Sequence, residues 1–314
     1  MKDPLIICNL LVSEFVVLVL LVSFITFTFA SALVISFRGA FKKSKISPVG
    51  WLIVLASLIG LVCLYYGFFV EPYQLEVTNT VIHSSKLARG KHFRIVHISD
   101  THCDDRVGPE VKLPSLIPPL KPDIIVFTGD AINTSKALKR FRSVLAELSK
   151  IAPVYVVKGN HDSRCYPDAN LFTRSGNNVQ ELESTTQSIK INGVDATIAG
   201  VPIDSEANIP HLISVLPKET YNMFLFHYPS IADQLAKADV DLFMCGHTHG
   251  GQVRLPFYGA IITRSLTGKK YEAGHYKVSK MDMNVNRGIG MVGGSAPKIR
   301  FMCKPEISVL DVRE

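Results

Sequence analysis

The 314-residue sequence predicts an α/β domain that follows an N-terminal pair of membrane-spanning helices. The first observation behind this prediction is an uneven composition. Residues 1–70 consist almost entirely of apolar residues and serine, whereas residues 71–314 have the composition of an ordinary globular domain. The second observation is a recurring unit after residue 70, in which a short apolar run ends in polar residues and helix-like stretches lie between the runs. Alternation of strands and helices indicates an α/β architecture.

Two apolar N-terminal runs predict a helical hairpin that anchors the chain in a membrane. The runs cover about 5–37 and 49–70, and each exceeds the roughly 20 residues that a helix needs to cross a bilayer. Trp51, Tyr65 and Tyr66 lie near the ends of the second run, where interfacial aromatic residues are common. A buried core helix and a cleaved signal peptide are the alternatives. Two adjacent runs of this length are rare in soluble folds, and the first run is long for a signal peptide.

This interpretation divides the chain into an anchor, residues 1–70, and a catalytic domain, residues 71–314. Two features disagree about the side of the membrane that carries the domain. The linker between the apolar runs, residues 38–48, holds four basic groups and no acid, which places the linker in the cytoplasm and the domain outside. The six cysteines form no CxxC pair and fit free thiols in a reducing compartment. We favour the cytoplasmic face of a bacterial inner membrane.

The net charge of +7 restricts the possible partners of the chain. The domain has a mild positive surplus without a long basic run, so the sequence does not predict nucleic-acid binding. A surplus of this size suits anionic substrates and the head groups of membrane lipids. The sequence does not indicate whether the chain has a protein partner.

Five apolar runs in the domain predict strands, and each ends at residues that are able to bind a metal ion. The runs are Phe93–Ser99, Ile124–Thr128, Val154–Lys158, Met223–Phe226 and Leu242–Cys245. Possible caps and apolar spacing predict helices over Thr134–Lys150 and Ser230–Ala238. Because ligands collect beyond the carboxyl ends of the strands in α/β folds, we expect one shared site at this end.

The candidate site residues follow those runs in five short groups. They are Asp100 and His102; Asp130 and Asn133; Asn160, His161 and Asp162; His227; and His247 and His249. Carboxylate, amide and imidazole donors together suit Mn²⁺, Fe²⁺ or Zn²⁺ better than Mg²⁺. Asp100 and His102 would share one face, and therefore one metal ion, if the strand continued through them. Each group alone is compatible with a turn or a packed histidine, and only their joint order after the strands predicts a metal centre.

These groups, in this order, resemble the calcineurin-like metallophosphoesterase family over roughly residues 71–314. The resemblance implies a four-layer α-β-β-α sandwich with two mixed sheets. It also implies two divalent metal ions, with manganese expected and iron or zinc as alternatives. The implied ligands are Asp100, His102, Asp130 and His249 for one ion, and Asp130, Asn160, His227 and His247 for the other.

The resemblance also implies roles for residues beside the metal ions. His161 would be the general acid that protonates the leaving oxygen, and Asp162 would orient it. Asn133, where many members have aspartate, would lie just outside the ligands. We consider Asn133 and Arg254 as candidate substrate-binding residues, with a surface salt bridge as the alternative for Arg254.

Three further stretches resemble the membrane-associated YkuE-type branch of the family. They are residues 71–77 (EPYQLEV), 249–257 (HGGQVRLPF) and 299–307 (IRFMCKPEI). One similar subgroup comprises the UDP-2,3-diacylglucosamine pyrophosphatases of lipid A synthesis, which release UMP and 2,3-diacylglucosamine 1-phosphate (lipid X). This resemblance implies a lipid-linked nucleotide-sugar substrate. Apolar residues within 169–172 or 256–262 are then expected beside its acyl chains.

Two other functions remain open from the sequence. One is a membrane-bound phosphodiesterase or phosphatase that acts on a different phosphoester, such as a nucleotide or a phospholipid. The other is a non-catalytic, metal-stabilised module that recruits partners to the membrane. The complete ligand set with His161 and Asp162 argues against such a module, since a scaffold needs no acid beside its metal ions.

Overall fold

The computed structural model describes residues 12–42, 45–165, 170–172, 175–292 and 298–314. The helices are α1 Val12–Lys42, α2 Pro48–Phe69, α3 Leu113–Leu116, α4 Leu138–Leu148, α5 Asn160–Cys165, α6 Ile209–Ser214 and α7 Ala232–Leu235. The strands are β1 Glu76–His83, β2 His92–Ile98, β3 Ile124–Phe127, β4 Val154–Val156, β5 Val179–Glu181, β6 Thr185–Ile191, β7 Val194–Gly200, β8 Tyr221–Leu225, β9 Leu242–Cys245, β10 Arg254–Leu255, β11 Gly259–Ala260, β12 Gly274–Val278, β13 Met281–Val285 and β14 Glu306–Arg313.

Helices α1 and α2 pack against each other and are long and apolar enough to cross a membrane. Ser47 caps the start of α2 by accepting the Gly50 N–H, and Pro48 occupies its first turn, where a missing N–H costs nothing. The first helix continues beyond the predicted end at residue 37 because residues 38–42 contain no proline and include good helix formers. Residues 5–11 of the predicted first run lie outside the described residues.

The side chains of α1 and α2 carry a large exposed apolar surface. Leu20 and Val62, for example, are about two-thirds exposed, at 65% and 66%. Exposure of so many apolar side chains to water is unfavourable, whereas lipid hydrocarbon accommodates them. The two helices therefore have the surface expected of a membrane anchor.

The domain is built from two mixed six-stranded sheets. The first has the strand order β1-β14-β2-β3-β4-β5, and the second has the order β12-β13-β9-β8-β7-β6. Their inner faces enclose an apolar layer that includes Phe93, Val126 and Met223. Helices α3 and α4 cover the outer face of the first sheet, and α6 and α7 cover that of the second. The expected four-layer α-β-β-α sandwich is confirmed.

The five predicted strands are present as β2, β3, β4, β8 and β9, with their ends shifted by one or two residues at most. Strands β2, β3 and β4 run parallel to one another, and so do β8 and β9. Because parallel neighbours end at the same edge, the loops that follow them meet there. The predicted helices are shorter than expected, because residues 135–137 and 229–231 form 3₁₀ turns before α4 and α7.

A buried histidine connects the two sheets behind that edge. His97 Nε2 lies 2.9 Å from Thr128 Oγ1, and its Nδ1 lies 2.8 Å from the amide nitrogen of Asn284. Thr128 in turn donates to Ser99 Oγ, and Ser99 donates to Asp100 Oδ2. Complete burial lowers the pKa of His97 to about 3, so its imidazole is neutral in the folded protein.

Folding stability should therefore depend on pH through His97. Its pKa is lower in the folded state than in the unfolded state, so the unfolded state binds one more proton between about pH 6.5 and pH 3. We expect the free energy of unfolding to decrease as the pH falls from about 6.5 towards about 3, by up to about 1.4 kcal/mol per pH unit. The decrease should be less steep in His97→Gln, which lacks this titrating group. Urea unfolding in detergent at several pH values measures it. The exposed His211→Gln is the control, and equal slopes in His97→Gln and wild type would contradict the prediction.

Candidate metal centre

The candidate ligands lie in turns whose backbone is unusual for L-amino acids. Asp100, His102, Asp130, His247 and His249 all have positive φ angles, between 39° and 71°. Strand β2 ends at Ile98, so the condition under which Asp100 and His102 would share one face of a strand is not met. The left-handed turn nevertheless brings Asp100 Oδ1 within 3.9 Å of His102 Nε2. Conformations that cost about 1–3 kcal/mol each persist where the surrounding structure enforces them, and they concentrate at functional sites.

Glycines allow the ligand loops to approach one another closely. A Cβ atom at Gly246 would lie 2.1 Å from Asp100 Oδ2, and one at Gly159 would lie 2.2 Å from Asp130 Oδ1. Both distances are far below van der Waals contact. Any side chain at either position would push a carboxylate out of the site.

The loops gather carboxylate and imidazole atoms into three overlapping groups, each with ligand atoms within 4.8 Å of one another. The groups are Asp100, His102 and His249; His102, Asp130 and His161; and Asp100, Asp130 and His227. Asp100 Oδ1 is 3.2 Å from His249 Nε2, and Asp130 Oδ2 is 3.3 Å from His227 Nε2 and 3.4 Å from His102 Nε2. Two buried carboxylates thus face four histidines, of which His161 is partly exposed.

The polar atoms at the centre of this cluster fit divalent cations. Asp100 Oδ1, Asn160 Oδ1 and His227 Nε2 are buried, and none of them makes a well-directed hydrogen bond to another described residue, although the first and the last lie 3.2 and 3.3 Å from His249 Nε2 and Asp130 Oδ2. Burial of such atoms is costly unless a cation binds them. His227 Nδ1 lies 2.7 Å from the Thr128 carbonyl, and His102 Nδ1 lies 2.7 Å from Asn133 Oδ1. These contacts fix both rings with Nε2 turned into the cluster, the usual orientation of a metal-binding histidine.

The electrostatics of the cluster also favour cations. Burial by itself would lower the pKa of His227, but the carboxylates of Asp130 and Asp100 outweigh it and raise that pKa to about 10. Burial would raise the pKa of Asp100, yet the facing imidazoles of His249 and His227 lower it below its usual value. The same competition lowers the pKa of Asp130, with His227 as the main opposing group. The two carboxylates therefore favour positive charge at His227, on the side of the ring that faces them.

Asp162 is fully buried and contacts the backbone of the ligand loops. Its two carboxylate oxygens accept the N–H groups of Asp130, Ala131 and Gly159, at 2.7, 2.8 and 2.9 Å. Burial and the nearby Asp130 carboxylate raise its pKa to about 7. These contacts differ from the expectation that Asp162 orients the His161 ring. Asp162 instead holds together the two loops that carry Asp130 and His161.

Three other predicted residues lie at the edge of the cluster. Asn133 contacts His102 from outside, as described above, and also donates to the Met291 carbonyl. His247 Nε2 contacts the Arg264 carbonyl at 3.1 Å, and its ring packs 4.2 Å from that of Tyr228. Arg254 forms an ion pair with Glu272 at 3.1 Å and donates to the Gly250 carbonyl. The salt-bridge alternative for Arg254 is therefore the arrangement that the structure shows.

The predicted acyl-chain contacts are only partly available. Leu171 and Phe172 are buried against the first sheet, so the expectation that they contact a lipid is wrong. Ala169 lies outside the described residues. Phe257, at the tip of the β10–β11 hairpin, is fully exposed.

Sequence reasoning missed Ser99 and Thr128, whose hydrogen bonds orient Asp100, because isolated hydroxyl residues at strand ends carry no motif.

Comparisons with known proteins agree with this geometry. The family model for calcineurin-like phosphoesterases matches residues 93–251. The metallophosphoesterase YkuE of Bacillus subtilis is 35% identical over 79% of this chain and 89% of its own length. The phosphodiesterase YaeI of Escherichia coli is 28% identical over 61% and 71%. The UDP-2,3-diacylglucosamine pyrophosphatase LpxG of Chlamydia trachomatis is 25% identical over 77% and 90%.

The cluster predicts that metal binding depends on Asp130, which belongs to two of the three ligand groups. We expect Asp130→Asn to retain at least tenfold less metal than wild type after gel filtration, because it removes the charge shared by those groups. Elemental analysis of the purified full-length chain measures the loss. Asp195→Asn is the control, since that exposed carboxylate pairs with Lys190 on the surface. A wild-type metal content in Asp130→Asn would contradict the prediction.

Proposed function

The chain belongs to the calcineurin-like phosphoesterase family, and from this premise we propose that residues 71–314 form a two-metal phosphohydrolase that residues 1–70 hold at a membrane. Members of this family are phosphoester hydrolases that use dinuclear metal sites. One observation carries the proposal for this chain. Side chains from the ends of five strands converge on one buried cluster of carboxylate and imidazole ligand atoms, several of which make no well-directed hydrogen bond to another described residue.

The proposed ligand sets combine the side chains that lie together in the cluster with the sets that the resemblance to the family implies. Asp130, which belongs to two of the three observed groups, would be the ligand shared by both ions. The remaining ligands are Asp100, His102 and His249 on one side, and Asn160, His227 and His247 on the other. Two bound divalent cations supply Lewis-acid polarisation of the phosphate and a nucleophilic solvent molecule at neutral pH. Mixed nitrogen and oxygen donors favour Mn²⁺ as the resident ion, with Fe²⁺ and Zn²⁺ as alternatives.

His161 is the proposed general acid. Its ring meets the His102 ring edge-on at 4.7 Å and is partly exposed, and its backbone N–H donates to Asp130 Oδ1. Burial lowers the pKa of His161, so the free imidazole is neutral at pH 7. A phosphate anion bound beside the ring favours its protonated form, and the leaving oxygen then receives that proton.

The proposed substrate is UDP-2,3-diacylglucosamine, cleaved at its anhydride to lipid X and UMP. Similarity to the pyrophosphatase LpxG over most of both chains supports this choice. A membrane-bound domain also suits a substrate with two acyl chains, and the exposed Phe257 offers an apolar contact near the last ligand loop. Because nucleotide sugars are cytoplasmic, this substrate places the domain on the cytoplasmic face of a bacterial inner membrane. Similarity to YaeI favours a second candidate, a phosphodiesterase that acts on another ester.

The acid role of His161 is tested with a substrate that needs no lipid. We expect His161→Ala to hydrolyse a 2′,3′-cyclic nucleotide, whose alkoxide leaving group needs a proton, at least ~100-fold more slowly than wild type, because general acid catalysis typically contributes that much or more. Its metal content should remain that of wild type. His211→Ala, far from the cluster in sequence and exposed, is the control. Loss of metal in His161→Ala would instead make His161 a ligand, and unchanged turnover would reject the acid role.

The substrate assignment is tested by product analysis. Detergent-solubilised full-length protein with Mn²⁺ should release UMP, and no free UDP, from UDP-2,3-diacylglucosamine. The Asp130→Asn variant in the same detergent should release neither. Turnover of bis(p-nitrophenyl) phosphate without any UMP release would reject this substrate and leave the second candidate.

A further inference from the structure

The three stretches that mark the membrane-associated branch meet at one place in the fold. Residues 71–77 follow α2, residues 249–257 begin at the ligand His249, and residues 299–307 lead into β14. In the structure, residues 299–303 lie between the other two stretches and contact both. We call residues 299–303 the clasp.

One side of the clasp contacts the end of the anchor. The Arg300 N–H donates to the Gly67 carbonyl at 3.0 Å, and the Phe301 ring packs edge-on against Tyr66. The buried carboxylate of Glu71 accepts the N–H groups of Met302, at 2.9 Å, and Cys303. Helix α2 and the clasp are therefore joined through hydrogen bonds at both ends of a short interface.

Gly67 makes this contact possible. A Cβ atom at Gly67 would lie 2.9 Å from Ile299 Cγ1 and 3.0 Å from the Arg300 carbonyl oxygen. Gly60, two turns earlier on the same helix, has no atom within 4 Å of such a Cβ. A larger side chain at Gly67 therefore separates α2 from the clasp, whereas the same side chain at Gly60 only enlarges the exposed surface.

The other side of the clasp holds the loop that follows His249. The Phe301 N–H donates to the Gln252 carbonyl at 2.8 Å, and the Phe301 carbonyl accepts the Arg254 N–H at 2.9 Å. The Cys303 thiol lies 3.2 Å from the His249 carbonyl. Through these contacts the clasp fixes the backbone of His249, a proposed metal ligand.

Arg300 extends the connection to Asp100. Its guanidinium is fully buried and has no carboxylate within ion-pair distance among the described residues. It donates instead to carbonyl oxygens of Arg287, Gly288, Gly290 and Cys303. The Gly290 N–H donates to the Asp100 carbonyl at 2.7 Å, and a Cβ at Gly288 would lie 2.7 Å from Asp100 Cβ. Arg300 thus braces the backbone on which Asp100 rests.

We propose that the order of the metal centre depends, through the clasp, on contact between the end of α2 and residues 299–303. Glu71 and Arg300 are the positioning residues in this arrangement. Docking of the anchor against the clasp sets the backbones of His249 and Asp100, so the centre is fully ordered only when the last turn of α2 is in place. The proposal rests on the proposed metal centre but adds a control element outside it. Contacts that orient ligands from outside typically change metal affinity by about 10–100-fold when they are lost.

The test compares full-length Gly67→Leu with Gly60→Leu, both in lipid nanodiscs. Calorimetry measures Mn²⁺ affinity, and hydrogen exchange of the metal-free protein measures protection of the 246–252 amides. We expect Gly67→Leu to bind Mn²⁺ at least ~10-fold more weakly and to exchange these amides faster, with Gly60→Leu equal to wild type. Arg300→Lys should resemble Gly67→Leu, because one ammonium cannot reach four carbonyl groups.

Leu212→Ala is the control for a general loss of stability. It removes a buried side chain between the second sheet and its outer helices and so leaves a cavity away from the clasp. It should lower the unfolding temperature and leave Mn²⁺ affinity unchanged. Equal affinity and equal exchange in Gly67→Leu and Gly60→Leu would overturn the proposal, and so would weakened Mn²⁺ binding in Leu212→Ala. If wild type binds no Mn²⁺, the proposed function fails, and the exchange comparison still decides whether α2 and the ligand loop are coupled.

Discussion

Mutual attraction between two buried carboxylates and the imidazoles that face them is the constraint on which this structure depends. Asp100 and Asp130 point into the same small space, where burial would normally disfavour their charge. Positive φ angles at five site residues and the absence of side chains at Gly159 and Gly246 are needed to bring the groups this close. The sandwich supplies the rigidity that keeps such turns in place, since strands end on both sides of the cluster and the apolar layers behind them are closely packed.

Hydrogen bonds from several parts of the molecule hold the side chains of the cluster in place. Hydrogen bonds run from the buried His97 through Thr128 and Ser99 to Asp100, while Asp162 joins the loops after β3 and β4. On the opposite side, Arg300 holds carbonyl groups next to Asp100 and lies directly beside the end of α2. The anchor is therefore part of the framework of the domain and not an independent tether.

Much of this could be predicted from the sequence, because the signals were local. Apolar runs followed by Asp, Asn or His marked the strand ends, and the order of the groups indicated one family and its four-layer fold. What could not be predicted depends on tertiary contacts. The turn at Asp100 and His102 is enforced by neighbouring loops, so the strand argument for their common face does not apply. Arg254 pairs with Glu272, which is too far along the chain for a sequence pattern to connect the two. Asp162 accepts backbone N–H groups, and a pattern of side chains does not reveal such partners. Arg300 likewise acquires its role only when distant carbonyl groups surround it.

The position of β14 has a consequence for how the protein is made. This strand is the last of the first sheet in chain order, yet it lies inside that sheet, parallel to β1 and antiparallel to β2. Until β14 has been synthesised, β1 and β2 have no strand between them, although α1 and α2 precede both of them in the chain. Closure of the first sheet must therefore wait for a strand of high sequence separation. The two apolar helices are thus available for folding before the sheet that carries Asp100 and Asp130 is complete.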